Sequence, residues 1–237
     1  MSDSDSRGLE SPEELNRRLS LNFSNLYLLV RALTHSSYVN EHSQAAEDNE
    51  RLEFLGDAVL DFIAGAWAYR RYPEMPEGDL TKIRSALVRN DHLAKFARQL
   101  DLGRALRLGR GEFASGGKDR DNLLGSAFEA LLGALYLDAG LEKAERFVIP
   151  MLDELRDSIL NETHDYKSEL QEWSQANKLG SPHYQVVNKT GPEHAATFEV
   201  IVQIQGEDKG RGTGSSKSLA QHAAAHDALK NLGLAKK

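Results

Sequence analysis

The hydrophobic periodicity of this chain changes once, near residue 161, and a segment built on one period cannot be accommodated by the other. Upstream, apolar residues recur every three to four positions, as in Leu52, Leu55, Val59 and Phe62, and again in Phe128, Leu131, Leu132 and Leu135. That spacing predicts helices packed through apolar stripes. Downstream, Phe198, Val200, Val202 and Ile204 alternate with polar neighbours, the pattern of a half-buried antiparallel strand. With 237 residues the chain is long enough for one to two domains of about 150 residues each. The pattern therefore predicts an all-α domain followed by a small α+β domain.

The expected boundaries are a disordered polar tail over 1–12, a helical domain over 13–160, a polar linker over 161–165 and a second domain over 166–235. Ser11-Pro12-Glu13-Glu14 has the cap, proline and acids of a helix start. In the second domain Asp165 is expected to cap a helix running to about Lys178. Strands are then predicted over 184–189, 197–205 and 208–213, before a helix carrying Ala220, Ala224, Ala228 and Leu232. The order is α-β-β-β-α.

Composition removes several classes of function. There is no cysteine, which excludes disulfides, thiolate metal sites and a thiol nucleophile. The apolar stretch 131–137 is far short of the ~20 residues of a bilayer span, and no signal peptide opens the chain, so a cytoplasmic protein without a membrane segment is expected. The whole formal charge of −7 falls in residues 1–160, while residues 161–237 balance nine basic against nine acidic side chains. Overall acidity counts little against a nucleic-acid partner, because phosphate is bound by local basic groups.

One helix carries an unusual charge. At about 100° per residue, Glu50, Glu53 and Asp57 fall within about 60° of one another. Leu52, Phe54, Leu55, Ala58, Val59 and Leu60 surround them, which predicts a largely buried helix, where like charges without a cation are costly. Glu129, inside the apolar run 127–135, is a partner from a second helix. Oxygen ligands from two helices suit hard cations such as Mg²⁺ or Mn²⁺, and such a cation can activate water for hydrolysis of a phosphoryl group. A structural ion-pair network is the alternative that spacing leaves open.

The run Asn49-Glu50-Arg51-Leu52-Glu53-Phe54-Leu55-Gly56-Asp57 resembles the signature helix of bacterial ribonuclease III, the endonuclease of double-stranded RNA. Ala32 to Tyr38, Glu77-Gly78-Asp79-Leu80 and Phe128-Glu129-Ala130-Leu131 are similar to further elements of that family, in family order, and residues 166–232 resemble its RNA-binding domain. The resemblance implies that Glu53, Asp57 and Glu129 are catalytic and hold Mg²⁺, with Mn²⁺ as its substitute. It puts Glu50 and Glu77 at the cleavage site and the valley formed by a homodimer, with Phe54 at the dimer interface. It further implies 5′-phosphate and 3′-hydroxyl ends with short 3′ overhangs, and a role in processing rRNA and mRNA precursors. Where the family usually has aspartate, three residues before the last glutamate, this chain has Ser126, a neutral and weaker ligand. Metal affinity is therefore expected to be reduced, and Ser126→Asp to lower the Mg²⁺ concentration for half-maximal cleavage.

In the second domain, Ser168, Gln171, His194, Ser216 and Lys217 match RNA-contacting positions of the family. Gly212 to Lys217 places small residues and a lysine at a helix start, where backbone N–H groups attract phosphate. A-form duplexes are read in this way by shape and 2′-hydroxyls across about 16 base pairs. Ser218 follows Lys217 where the family prefers a second basic residue, so a modest duplex affinity and a shallow salt slope are expected. The rival function is a non-catalytic double-stranded-RNA-binding protein with a degenerate nuclease site at Ser126. The glycines at 109–117 lack the spacing of a phosphate-binding loop. His222 and His226 read as packing or exposed residues, and Trp67 and Trp173 as helix packing.

Overall fold

The computed structural model describes residues 10–42, 44–45, 47–192 and 196–234. These divide into two compact units, one ending at Thr163 and one starting at His164. In the first unit the helices are α1 (Pro12–Arg18), α2 (Leu26–Ala32), α3 (Ser36–Glu41), α4 (Glu50–Arg71), α5 (Glu77–Leu87), α6 (Asn90–Gln99), α7 (Arg110–Ala114) and α8 (Asp121–Thr163).

The first helix starts where its sequence directs. Ser11 Oγ accepts from the Glu14 N–H at 3.2 Å while Glu14 Oε2 accepts from the Ser11 N–H at 2.8 Å, a reciprocal capping box. The polar tail expected over 1–12 does not reach its last residues. Pro12 already lies in α1, and Glu10 receives Arg18 at 2.6 Å and donates its N–H to the Arg104 carbonyl at 2.8 Å. The rest of that expectation, residues 1–9, lies outside the described residues.

Helices α4 and α8 form the centre of this unit. Leu60, Ile63, Ala64 and Trp67 of α4 are buried together with Phe128, Leu131, Leu132 and Leu135 of α8 and with Leu93 and Phe96 of α6. By length and composition Asp121–Leu160 could pass for a membrane span, which the shorter stretch 131–137 did not suggest. Most of its apolar side chains instead go into the core, and the helix breaks at Gly140, whose φ of 78° and ψ of −178° suit only glycine. The expectation that α4 is largely buried is corrected. One face is buried, but Phe54 and Phe62 are 79% and 57% exposed and Ala58 and Asp57 also face outward.

In the second unit, α9 (Tyr166–Ala176) is followed by β1 (His183–Thr190), β2 (Thr197–Ile204), β3 (Glu207–Gly214) and α10 (Lys217–Asn231). The three strands form one antiparallel sheet in the order β1-β2-β3. Asp165 caps α9 by accepting from the Ser168 N–H at 3.0 Å, but α8 continues through Thr163, so the linker expected over 161–165 is largely helix. The hairpin between β2 and β3 turns at Gln205-Gly206, both at positive φ, which ends β2 one residue earlier than the sequence pattern suggested. Gly210, Gly212 and Gly214 alternate on the face of β3 under α10. A Cβ on Gly212 would lie 2.2 Å from the Ala224 nitrogen, and one on Gly210 would lie 2.4 Å from that of Ala228. Glycine on the strand and alanine at i, i+4 on the helix thus allow the close packing that buries Val200, Val202 and Ile204. Gly212 and Gly214 are the β3 side of this contact, two residues and more before the cap of α10 at Ser216.

Candidate active site

Two glycines place the acids. A Cβ on Gly56 of α4 would lie 1.8 Å from the Glu129 carbonyl oxygen, and one on Gly133 of α8 would lie 2.3 Å from the Leu52 carbonyl oxygen. The two helices therefore cross backbone to backbone, which real side chains at these positions would forbid. Glu53 and Asp57 on α4 flank Gly56, and Ser126 and Glu129 precede Gly133 by one to two turns of α8. The crossing brings all four side chains to one side of the helix pair.

Ser126 Oγ donates to Glu53 Oε1 at 2.8 Å. Glu53, Ser126 and Glu129 are half-buried and Asp57 is exposed. Burial, and then the negative charges of Asp57 and Glu53, push the Glu129 carboxyl up to about 7. Among the described residues, no lysine, arginine or histidine forms an ion pair with Glu53, Asp57 or Glu129. The ion-pair network left open by the sequence is thereby set aside. Also among the described residues, no three His, Asp or Glu side chains form a finished metal cage. Like charges repel, and one oxygen of Glu53 is already engaged by Ser126. The donor set is nonetheless all oxygen, carries excess negative charge and has no protein cation, which fits a hard divalent ion.

The remaining candidates make none of the interactions described above for this cluster. Glu50 and Glu77 are exposed in the first turns of α4 and α5, and neither is among the charges that shift Glu129. Phe54 lies on the outer face of α4, in one stripe with Phe62 and Tyr69, which is 72% exposed. In the second unit, Ser168 and Gln171 are exposed one turn apart on α9, although the Ser168 hydroxyl is engaged by Asp165 at 2.8 Å. Ser216 caps α10 by accepting from the Leu219 N–H at 3.2 Å, and Lys217, the first residue of that helix, is exposed. His194 lies outside the described residues. His222 and His226 pack around Tyr166, at ring separations of 5.0 and 4.3 Å.

Sequence reasoning missed Gly56, Gly133 and the Ser126–Glu53 bond. A glycine inside each of two apolar helices was the available signal for a close crossing; nothing local reveals the hydrogen bond, which spans 73 residues.

A ribonuclease-III-like family model matches residues 25–155, which contain all four side chains of the cluster, and a double-stranded RNA binding motif matches residues 166–232. The chain belongs to the ribonuclease III family. It is 44% identical to ribonuclease 3 of Bacillus velezensis, over 93% of this chain and 90% of that protein. To ribonuclease 3 of Streptococcus sanguinis it is 48% identical, over 91% and 94%. Among solved structures, the ribonuclease III nuclease domain of Campylobacter jejuni, described for structural flexibility in the region involved in dimer formation, is 39% identical. It covers 60% of this chain and is itself 96% covered, with a TM-score of 0.55. This family likeness thus extends through both units of the chain.

Proposed function

We propose that this protein is an endoribonuclease that hydrolyses phosphodiester bonds of double-stranded RNA, using a divalent cation and leaving 5′-phosphate and 3′-hydroxyl ends with short 3′ overhangs. The observation that carries this reading is the convergence of Glu53, Asp57 and Glu129 with no cation among the described residues to neutralise them. These three are the proposed catalytic residues and metal ligands, with Ser126 beside them. A bound Mg²⁺ or Mn²⁺ would supply an activated water and neutralise charge developing on the phosphoryl group.

The chain's own contribution is placement. The Gly56–Gly133 crossing holds the carboxylates on two rigid helices, and Glu129 is half-buried where its charge is poorly solvated, so a cation is favoured there over water alone. In the second unit, Ser168 and Gln171 are suited to a minor groove, and Lys217 at the start of α10 to a phosphate. Glu50 and Glu77 are proposed to line the cleavage region. Supporting a homodimer, Phe54, Phe62 and Tyr69 form an exposed apolar stripe on α4 that a second copy would cover. Processing of rRNA and mRNA precursors in the cytoplasm is the role proposed by family likeness.

The test is incubation of the purified protein with a long, perfectly paired RNA, with and without Mg²⁺, beside a Glu129→Ala variant. Metal-dependent shortening that disappears in the variant is expected. Binding without cleavage, even in Mn²⁺, would overturn the nuclease reading in favour of a non-catalytic RNA-binding protein and would point to Ser126 as the lesion.

A further inference from the structure

Hydroxyl side chains in and beside helices ordinarily bond back to a carbonyl three or four residues earlier. Several here do so: Thr34 to Val30 at 2.7 Å, Ser158 to Leu155 at 2.8 Å and Thr163 to Ile159 at 2.8 Å. Ser126 does not. Its hydroxyl leaves α8 altogether and donates across the crossing to Glu53 Oε1. The short serine side chain can reach because Gly56 and Gly133 let the two backbones touch.

From this geometry we infer that Ser126 is a positioning residue: it holds the Glu53 carboxylate in one orientation through Oε1 and leaves Oε2 for the cation, and it is not itself a ligand. This rests on the reading of Glu53 as a metal ligand. A carboxylate on three rotatable bonds loses rotamer freedom when it binds an ion, and a hydrogen bond made beforehand lessens that loss. Ser126 donates its single proton to Glu53, so it adds order to the site without adding negative charge.

The experiment is an EPR titration of free Mn²⁺ against the full chain without RNA, for the wild type, Ser126→Ala, Ser126→Thr, Glu53→Gln and the Ser126→Ala/Glu53→Gln pair. Losing the bond is expected to raise the Mn²⁺ Kd about three- to tenfold in Ser126→Ala. Ser126→Thr, which keeps the hydroxyl, is expected to stay within about twofold of the wild type. In the Glu53→Gln background the alanine substitution is expected to change Kd by less than about twofold, because the group it acts through has been altered. An undiminished effect in that background would mean that Ser126 contacts the ion directly and would overturn the inference; so would an unchanged Kd in Ser126→Ala. Failure of the wild type to bind Mn²⁺ would overturn the metal reading before any substitution is compared, and this inference with it.

Discussion

Glu129→Gln is expected to stabilise the metal-free protein at alkaline pH and to have little effect near pH 4.5. A carboxyl shifted from 4.5 to about 7 by burial and by Asp57 and Glu53 corresponds to about 3.4 kcal/mol at 1.36 kcal/mol per pH unit. Glu129 is only half-buried, so screening by water reduces this to roughly 1.5 kcal/mol. The sign follows from proton linkage. Between pH 4.5 and 7 the folded state binds more protons at this site than the unfolded chain, so stability falls as pH rises through that window. Below it both states are protonated and no penalty exists; above it the penalty is complete. Glutamine has the same shape and no charge, so the variant should gain about 1.5 kcal/mol at pH 8, or about 3–6 °C in the melting of the nuclease unit. Thermal unfolding followed by circular dichroism in EDTA, at pH 4.5, 6 and 8, would measure it. Mg²⁺ should raise the wild-type transition at pH 8 and shrink the gap. A variant less stable than the wild type at pH 8, or a difference independent of pH, would refute the argument that Glu129 is strained by its neighbours.

Gly56→Ala should lose roughly 3 kcal/mol or more in thermal unfolding, because its Cβ would fall 1.8 Å from a backbone oxygen that cannot move aside; an unchanged melting temperature would contradict the close crossing. Phe54→Ala, removing a ring that is 79% exposed in the single chain, should weaken self-association by about 3 kcal/mol over two symmetric copies, more than 100-fold in Kd by sedimentation; an unaltered Kd would remove Phe54 from the interface. Lys217→Ala should flatten the plot of log affinity for duplex RNA against log salt by about one, and an unchanged slope would mean that Lys217 touches no phosphate.

Much of this protein is legible in its sequence, because periodicity and local hydrogen bonding are short-range properties. The switch from a 3.6-residue to a two-residue repeat separates the helical unit from the α-β-β-β-α unit, and the capping groups of Ser11 and Asp165 act within three residues of themselves. The shared face of Glu50, Glu53 and Asp57 follows from helix geometry alone. Extents were harder to read: α8 runs into the expected linker as far as Thr163, since a polar composition does not by itself end a helix, and the break at Gly140 depends on one backbone conformation. Whether Phe54 and Phe62 were core or surface was not legible in the periodicity, which put both among the apolar positions of α4; only the family resemblance set Phe54 apart. What the tertiary structure alone decided is how the acids meet. Gly56 and Gly133 lie 77 positions apart, and only the crossing of α4 and α8 makes their missing side chains a contact, bringing Ser126 to Glu53 and raising Glu129. Helical order is set within a few residues, whereas the charge state and ligand geometry of a site depend on distances between elements that the chain order does not encode locally.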